Sequence, residues 1–398
     1  MERLFKIFER RIKNTDTRFI RGFINKINWD ERLISIKGSR GVGKTTLILQ
    51  YIKLNKKIDT QTLYVSLDDI YFQTNNLVDL VEEFYVNGGK YLFLDEVHKY
   101  GNWSREIKNI YDNYDDLKLV FTSSSVLEIN KGEADLSRRA VTYELNGLSF
   151  REYLELGHKI NFPELTLEDI LENHVAIAQD LTSEERVIKY FKKYLENGYF
   201  PFFKEGETSY YQKINNVINL TIETDIPFVF KTEFKTIYKV KKLLHLIATS
   251  LPYEPNISKL SKQLETSSRN STLLYLDYLD KAKLISNLKT SAKGNNYLVK
   301  PDKIYLENTN LMFAISDFYN NKGTVRETFF NNQLQCNHVV KTSKESDFLI
   351  DNKYTFEIGG KGKNSSQIKN VKNAFIAADN IEVGFRNKIP LWMFGLMY

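Results

Sequence analysis

The stretch that decides the fold is GSRGVGKTT, residues 38–46. It matches the pattern G-x-x-x-x-G-K-[ST] at every fixed position, namely Gly38, Gly43, Lys44 and Thr45. The apolar run RLISIKG precedes this loop, and TLILQYIKL follows it. The order strand, glycine-rich loop and helix is the context in which this pattern holds phosphate. The sequence therefore predicts a P-loop near the start of an α/β domain.

The residue types in the loop suit a bound nucleotide. Glycines let the backbone curl so that successive N–H groups point at phosphate oxygens, and a helix N-terminus favours negative charge. Lys44 is expected to reach the β- and γ-phosphates, and the Thr45 hydroxyl to ligate Mg²⁺. We therefore predict ATP and Mg²⁺ as cofactors, with ADP as the product. The predicted nucleotide-binding residues are Gly38, Ser39, Arg40, Gly41, Val42, Gly43, Lys44, Thr45 and Thr46.

An acidic pair ends the apolar run YLFLDE, residues 91–96. Asp95, at the tip of a buried strand, can hold Mg²⁺ directly or through water. Glu96 is the natural base for the water that attacks the γ-phosphate. The spacing from the glycine-rich loop favours this interpretation over an ordinary acidic strand end.

Two further pairs of polar residues fit the same site. Thr122 and Ser123 end the next apolar run, where a hydroxyl could sense the γ-phosphate. Arg138 and Arg139 could supply positive charge to the transition state, within one chain or to a neighbouring subunit. The alternatives are a polar strand end and a surface salt bridge.

The order of apolar runs predicts an α/β architecture followed by two other parts. Strands and helices alternate over roughly the first 155 residues, which predicts a parallel sheet with helices on both faces. Residues 234–310 show a short helix, a turn, a longer helix and a loose hairpin, the layout of a winged helix. In the last part we predict helices over 324–336 and 366–378, and strands over 345–351, 353–360, 381–385 and 389–395. The predicted domains are 1–205, 206–315 and 316–398.

The composition is that of a globular protein of 398 residues, with 42% hydrophobic and 27% charged residues. We see no run long enough to span a membrane and no secretory signal, so we expect no membrane partner. The single cysteine, Cys336, excludes an internal disulfide and favours the reducing cytoplasm. Residues 201–300 hold 15 Lys or Arg against 9 Asp or Glu, an excess of six that equals the net charge of +6. This excess marks either a DNA-binding surface or a solvated lysine-rich face.

The motifs together resemble a known family. GSRGVGKTT, FLDEVHKYGNWSREIKNIYD, VFTSSS and LSRRAVTYELNGLSFREYL are similar to segments of prokaryotic AAA+-type ATPases, which pair a P-loop domain with a C-terminal domain of unknown function. The resemblance implies a Walker A lysine and threonine, a Walker B acid pair, a sensor-1 hydroxyl and an arginine that acts on the γ-phosphate. Relatives often have glycine at the position of Arg138, so either arginine could act. The residues concerned are Lys44, Thr45, Asp95, Glu96, Ser123 and Arg139.

In this family the C-terminal domain resembles a restriction-endonuclease core, in which carboxylates hold Mg²⁺ and a lysine orients water. The matching acids are Glu327, Asp347 and Glu357. The lysine expected two positions after the last acid is Gly359, and the nearest replacement is Lys361. We therefore expect a degenerate site that keeps the fold and does not cleave nucleic acid.

Three functions follow from these observations. The first is an ATPase whose hydrolysis rearranges the winged-helix and C-terminal parts. The second is a nucleotide-gated switch that binds DNA or a protein and hydrolyses little. The third is a nuclease controlled by the ATPase, which Gly359 argues against. The protein partner and the oligomeric state are not predicted.

Overall fold

The computed structural model describes residues 1–56, 59–124, 136, 138–183, 186–290, 300–315 and 321–398. The chain divides into two compact units. The first unit contains Met1–Gly147 and a short later segment, Thr224–Lys231. The second unit contains Leu148–Glu223 and Thr232–Tyr398. The segment Thr224–Lys231 thus interrupts the second unit and belongs to the first.

The first unit is built on a five-stranded parallel sheet in the order β2-β3-β4-β1-β5. Strands β1, β3 and β4 lie inside the sheet and are almost wholly buried, as their apolar sequences predict. This sheet and its helices confirm the predicted α/β class. The strands are β1 (Leu33–Gly38), β2 (Thr62–Ser66), β3 (Tyr91–Asp95), β4 (Lys118–Ser124) and β5 (Val141–Glu144).

Helices connect and cover these strands. On α1 (Glu2–Asn14) the apolar residues Leu4, Phe8 and Ile12 recur at helical spacing and are buried. Helix α2 (Lys44–Asn55) begins inside the glycine-rich motif. Sequence inspection did not predict α3, although Asn76 caps its N-terminus. The remaining helical segments are α3 (Leu77–Val86), α4 (Trp103–Asn113) and 3₁₀ turns at Gly22–Lys26, Ile70–Gln73 and Val97–Lys99.

The second unit begins with helices and continues with more helices and an antiparallel strand pair. Its first helices are α5 (Phe150–His158), α6 (Leu167–Thr182), α7 (Val187–Asn197) and α8 (Glu207–Leu220), with a 3₁₀ turn at Pro201–Glu205. A π-helical turn, Thr221–Asp225, and α9 (Ile226–Phe230) carry the chain into its excursion to the first unit. After it come α10 (Phe234–Ala248), α11 (Ile257–Gln263), α12 (Arg269–Lys281) and the antiparallel pair β6 (Ile285–Leu288) and β7 (Lys303–Leu306). The hairpin loop, residues 291–299, lies outside the described residues.

The last part of the second unit is a mixed sheet in the order β12-β11-β10-β9-β8. Strands β8, β9 and β10 pair antiparallel, whereas β10, β11 and β12 pair parallel. The elements are α13 (Thr309–Ile315), α14 (Lys322–Leu334), β8 (Val340–Thr342), β9 (Phe348–Ile350), β10 (Tyr354–Gly359), β11 (Ala374–Ala378), β12 (Lys388–Pro390) and a 3₁₀ helix, Leu391–Leu396.

Three predictions for this sheet were wrong in part. The helix predicted over 366–378 is a series of turns followed by strand β11, which pairs with β10 through residues 374–378. The strand predicted over 381–385 is an isolated bridge at Phe385. The strand predicted over 389–395 ends at Pro390, where the 3₁₀ helix begins. Each error has the same cause: a short apolar run carries a weak local signal, and its distant partner decides its structure.

The boundary between the units also differs from the one predicted after residue 205. The reason is a shared aromatic core in the second unit. Phe150 of α5 contacts Tyr194 of α7, which in turn contacts Phe329 of α14. On the same helix, Phe330 packs on Phe356 and Phe394. The helices after residue 147 therefore belong with the C-terminal sheet rather than with the P-loop sheet. In the part of the chain that the structure describes, no helix is long and apolar enough to cross a membrane.

Candidate functional site

The glycine-rich loop joins the end of β1 to the start of α2. Gly43 has a φ of 100°, in the left-handed region that favours glycine, and α2 begins at the next residue. No side chain caps this helix, so its first N–H groups are available to an anion. Gly38 is required for another reason, because a Cβ there would lie 2.4 Å from the carbonyl oxygen of Leu145.

Lys44 lies across the loop with only 6% of its surface exposed. Its ammonium group donates to the carbonyl oxygens of Gly38 at 2.8 Å and Ser39 at 3.0 Å. Burial lowers the pKa of Lys44, while the nearby carboxylates of Glu96 and Asp95 act in the opposite direction. The lysine is thus held at the loop, where a phosphate could take the place of the two carbonyl oxygens.

The carboxylate of Asp95 is the centre of a hydroxyl cluster at the end of β3. Thr45 Oγ1 and the Tyr64 hydroxyl each donate to Asp95 Oδ2 at 2.7 Å. The Thr122 hydroxyl donates to the other carboxylate oxygen. Arg11 of α1 donates to Tyr64 Oη at 2.9 Å and so supports the cluster from behind. Asp95 is 2% exposed and ordered by all three hydroxyls.

These oxygens suit the predicted metal. Mg²⁺ prefers hard oxygen ligands and is usually held by one or two carboxylates together with waters and substrate phosphates. Thr45 and Asp95 supply a hydroxyl and a carboxylate that already touch each other. Among the described residues no group of three or more His, Cys, Asp or Glu could hold a metal by itself. This hydroxyl and carboxylate fit a Mg²⁺ whose other ligands are waters and phosphate oxygens.

Glu96 follows Asp95 in a left-handed backbone conformation, with φ of 56°. Its N–H donates to Thr122 Oγ1 at 2.9 Å, which fixes the backbone at the strand end. Its carboxylate oxygen Oε2 lies 3.3 Å from His98 Nε2 and 3.7 Å from Arg40 Nη1. Burial raises the pKa of Glu96, and Lys44 and Arg40 oppose this effect. A strained, partly buried carboxylate next to the loop is the arrangement expected of a general base.

His98 is almost wholly buried against this carboxylate, and burial lowers its pKa from 6.5 to about 3. At a pH between these two pKa values, His98 is protonated in the unfolded chain and neutral in the folded protein. The free energy of unfolding therefore falls as the pH drops below 6.5. Between pH 7 and pH 5, the unfolding free energy of the wild type should therefore fall by about 2 kcal/mol more than that of His98→Gln. Urea unfolding at both pH values measures this difference. An equal loss in both proteins would contradict a neutral His98.

The structure does not bring every predicted residue to this cluster. Thr122, not Ser123, meets Asp95, since neighbouring residues of a strand point to opposite faces. The Ser123 hydroxyl is buried without a hydrogen-bond partner among the described residues. Arg139 donates to Asp112 of α4 at 2.9 Å and 3.0 Å, and Arg138 is exposed. Roles for Ser123 and for either arginine remain predictions.

Sequence inspection missed Asp225, which lies on the returning segment Thr224–Lys231. Its side chain is fully buried and accepts from Arg40 Nε and Nη2, both at 2.7 Å. Asp225 is 185 residues from Arg40 in sequence, so no local pattern could have paired them. Tyr64 was missed as well, since a tyrosine inside a strand has many structural roles.

The predicted C-terminal acids come together in the second unit. The Glu327 carboxylate accepts from the Tyr305 hydroxyl at 2.6 Å, and Asp347 accepts from the Ile358 N–H at 2.7 Å. Burial raises the pKa of both acids; repulsion between the two carboxylates adds to this at Glu327, and repulsion from Glu357 adds to it at Asp347. The structure does not place Lys361 on these acids.

Glu357 instead makes its ion pair with Lys363. The side chain of Lys363 lies over Gly359, where an added Cβ would approach Lys363 Cβ to 2.6 Å. Glycine at position 359 therefore leaves the space through which a lysine four residues further along reaches the carboxylate. The predicted replacement, Lys361, is two residues away from the lysine that makes this contact.

Two family models match the chain. Residues 30–154 match the model of the AAA domain. The matched stretch includes the glycine-rich loop, the hydroxyl cluster and Glu96, and the match supports nucleotide binding at this site. Residues 188–322 match a domain of unknown function, DUF8612.

Two proteins of Methanocaldococcus jannaschii are similar over longer stretches. "Uncharacterized protein MJ1637" is 30% identical over 294 residues, which cover 70% of this chain and 61% of that protein. The chain thus spans less than two thirds of the length of this relative. "Uncharacterized protein MJ1544" is 23% identical over 337 residues, covering 79% of this chain and 71% of that protein.

Solved structures show more distant likeness. The DNA complex of ORC1 from Aeropyrum pernix aligns at 11% identity and a TM-score of 0.31, covering 78% of this chain and 91% of that one. AMPPCP-bound DnaA from Aquifex aeolicus aligns at 14% identity and a TM-score of 0.29, covering 70% and 89%.

Proposed function

We propose that this protein binds ATP with Mg²⁺ and hydrolyses it, and that hydrolysis rearranges the winged-helix and C-terminal parts of the second unit. The observation that carries the proposal is the position of Glu96. Its carboxylate follows directly on Asp95, which is bonded to the loop residue Thr45. A base, a metal-binding oxygen pair and a phosphate loop are the parts that nucleotide hydrolysis requires.

The residues divide the chemistry between them. The N–H groups at the start of α2 bind phosphate oxygens, and Lys44 places its positive charge on the same group. Thr45 and Asp95 would hold Mg²⁺, which neutralises charge on the phosphates when it is bound. Glu96 orients water and accepts its proton. Tyr64 and Thr122 keep the Asp95 carboxylate in one orientation.

The experiment that tests this function is phosphate release from ATP by the full chain, with Mg²⁺ and with EDTA. We expect release that depends on Mg²⁺ and is absent in Asp95→Asn. Duplex DNA is included in a parallel series. Tight ATP binding without release in any condition would overturn the ATPase and favour a nucleotide-gated switch.

The second candidate function is such a switch, acting on DNA or on a protein. The observation in its favour is the positive excess of residues 201–300, which includes Arg269 at the start of α12. A DNA-binding surface loses affinity steeply as salt rises, because binding releases counterions. Fluorescence anisotropy of labelled duplex DNA at several salt concentrations, with and without ATP, separates this candidate from a solvated lysine-rich face.

We expect no nuclease activity from the C-terminal acids. Glu357 is neutralised by Lys363, and Glu327 and Asp347 are engaged by Tyr305 and by the backbone. Supercoiled plasmid incubated with Mg²⁺ or Mn²⁺ should therefore stay supercoiled, in the wild type as in Glu357→Ala. Nicking by the wild type that disappears in Glu357→Ala would reverse this conclusion and make Lys363 the lysine of a working site.

A further inference from the structure

Arg40 stands between two carboxylates that compete for it. Its guanidinium makes two bonds of 2.7 Å to Asp225, whereas its distance to Glu96 Oε2 is 3.7 Å. Paired, parallel bonds of this kind are the strong form of an arginine–carboxylate contact. Arg40 is therefore hydrogen-bonded to Asp225, and it lies near Glu96 without a hydrogen bond to it.

The position of Asp225 leaves its carboxylate free to bind Arg40. It occupies the N-cap position of α9, where an aspartate usually accepts from the helix backbone, yet its side chain makes no such bond. It also closes a π-helical turn, a rare element that often marks functional sites. Lys99 Nζ lies 3.7 Å from the same carboxylate, so the buried negative charge faces two cations.

The consequence for Glu96 follows from charge. A base must keep a free carboxylate lone pair for the proton of water. An arginine released from Asp225 would lie beside Glu96, the nearest remaining acid, and would bind that lone pair. A buried arginine without a partner is costly, so this rearrangement is favoured when a neutral side chain replaces Asp225.

We propose that Asp225 is a positioning residue for ATP hydrolysis, which holds Arg40 away from Glu96 so that the Glu96 carboxylate stays free to act as the base. This inference rests on the proposed ATPase. Residues on both sides of the segment Thr224–Lys231 belong to the second unit. In this proposal, ATP hydrolysis therefore requires that the segment Thr224–Lys231 be folded into the first unit, where Asp225 binds Arg40.

The test compares kcat and the ATP dissociation constant in three variants of the full chain. Asp225→Asn should lower kcat about ten-fold or more and leave ATP affinity within about two-fold, because only the base is affected. Asp225→Asn combined with Arg40→Gln should have the same kcat as Arg40→Gln alone, since the competing cation is absent from both. If Asp225 had a purely structural role, its replacement would slow the Arg40→Gln variant as much as it slows the wild type.

If Asp225→Asn does not fold, the comparison of Arg40→Gln with the double variant carries the test. Asp225 acts only through Arg40 in this proposal, so both should have the same kcat. A further loss in the double variant would overturn the proposal, and so would a wild-type kcat in Asp225→Asn. Failure of the ATPase itself is distinguishable, because the wild type would then release no phosphate at all.

Discussion

Glu96→Gln is expected to bind ATP as the wild type does and to release phosphate more slowly by a factor of about 10² to 10⁴, the usual contribution of a general base. The amide keeps the size of the carboxylate but cannot accept a proton from water. The contact with Arg40, at 3.7 Å, is too long to be a major source of stability, so its loss should not disturb the fold. Single-turnover phosphate release together with equilibrium ATP binding measures the two effects separately.

Glu82→Gln is the matched control for this variant. Glu82 is an exposed acid on α3 in the same unit, and its replacement also removes one negative charge. We expect wild-type rates from this control. If Glu96→Gln also hydrolyses ATP at the wild-type rate, Glu96 is not the general base, and the observation on which the proposed function rests no longer supports it.

Lys44→Ala should lose both functions together. Its ammonium group donates to the loop carbonyls of Gly38 and Ser39, whereas the other cation of the motif, Arg40, is bonded to Asp225. Removing a preorganised donor of this kind costs about 10²–10³ in rate. Ground-state binding should weaken as well, because the proposed function has the lysine contact the phosphates before and during reaction. Fluorescent nucleotide titration and phosphate release test the two losses.

Lys53→Ala is the control on the same helix. Lys53 donates to the Thr15 carbonyl oxygen at 2.7 Å, and so lies on another part of α2. Its removal should change neither nucleotide affinity nor rate. Unchanged ATP binding in Lys44→Ala would show that the loop does not hold phosphate as the motif predicts.

Local patterns were sufficient for the first sheet. Strands β1, β3 and β4 are short, mainly apolar and almost wholly buried, and the P-loop motif fixes the turn between β1 and α2. Such features are encoded over a few residues. In the C-terminal sheet, by contrast, Ile368, Val371 and Ala374 recur at helical spacing, yet the chain from residue 374 is a strand because β10 is there to pair with it.

The site divides in the same way. Lys44, Thr45, Asp95 and Glu96 could be predicted because their chemistry lies in short motifs with known spacing. Tyr64, Thr122 and Asp225 complete the site through contacts between distant parts of the chain, and a single sequence does not record which strand lies beside which. The contact between Lys363 and Glu357 needed the conformation around Gly359, which the sequence suggested only as a departure from the family pattern.

The return of residues 224–231 to the first unit affects recombination between related genes and the choice of fragments for biochemical work. Sequence families place these residues inside the domain of unknown function, yet they complete the first unit. A fragment that stops at residue 147 would leave Arg40 without its buried partner. Recombination between relatives at that boundary would likewise join a loop from one parent to an Asp225 segment from another. The two units are therefore expected to evolve as one heritable module, and fragments for biochemical work should include the returning segment.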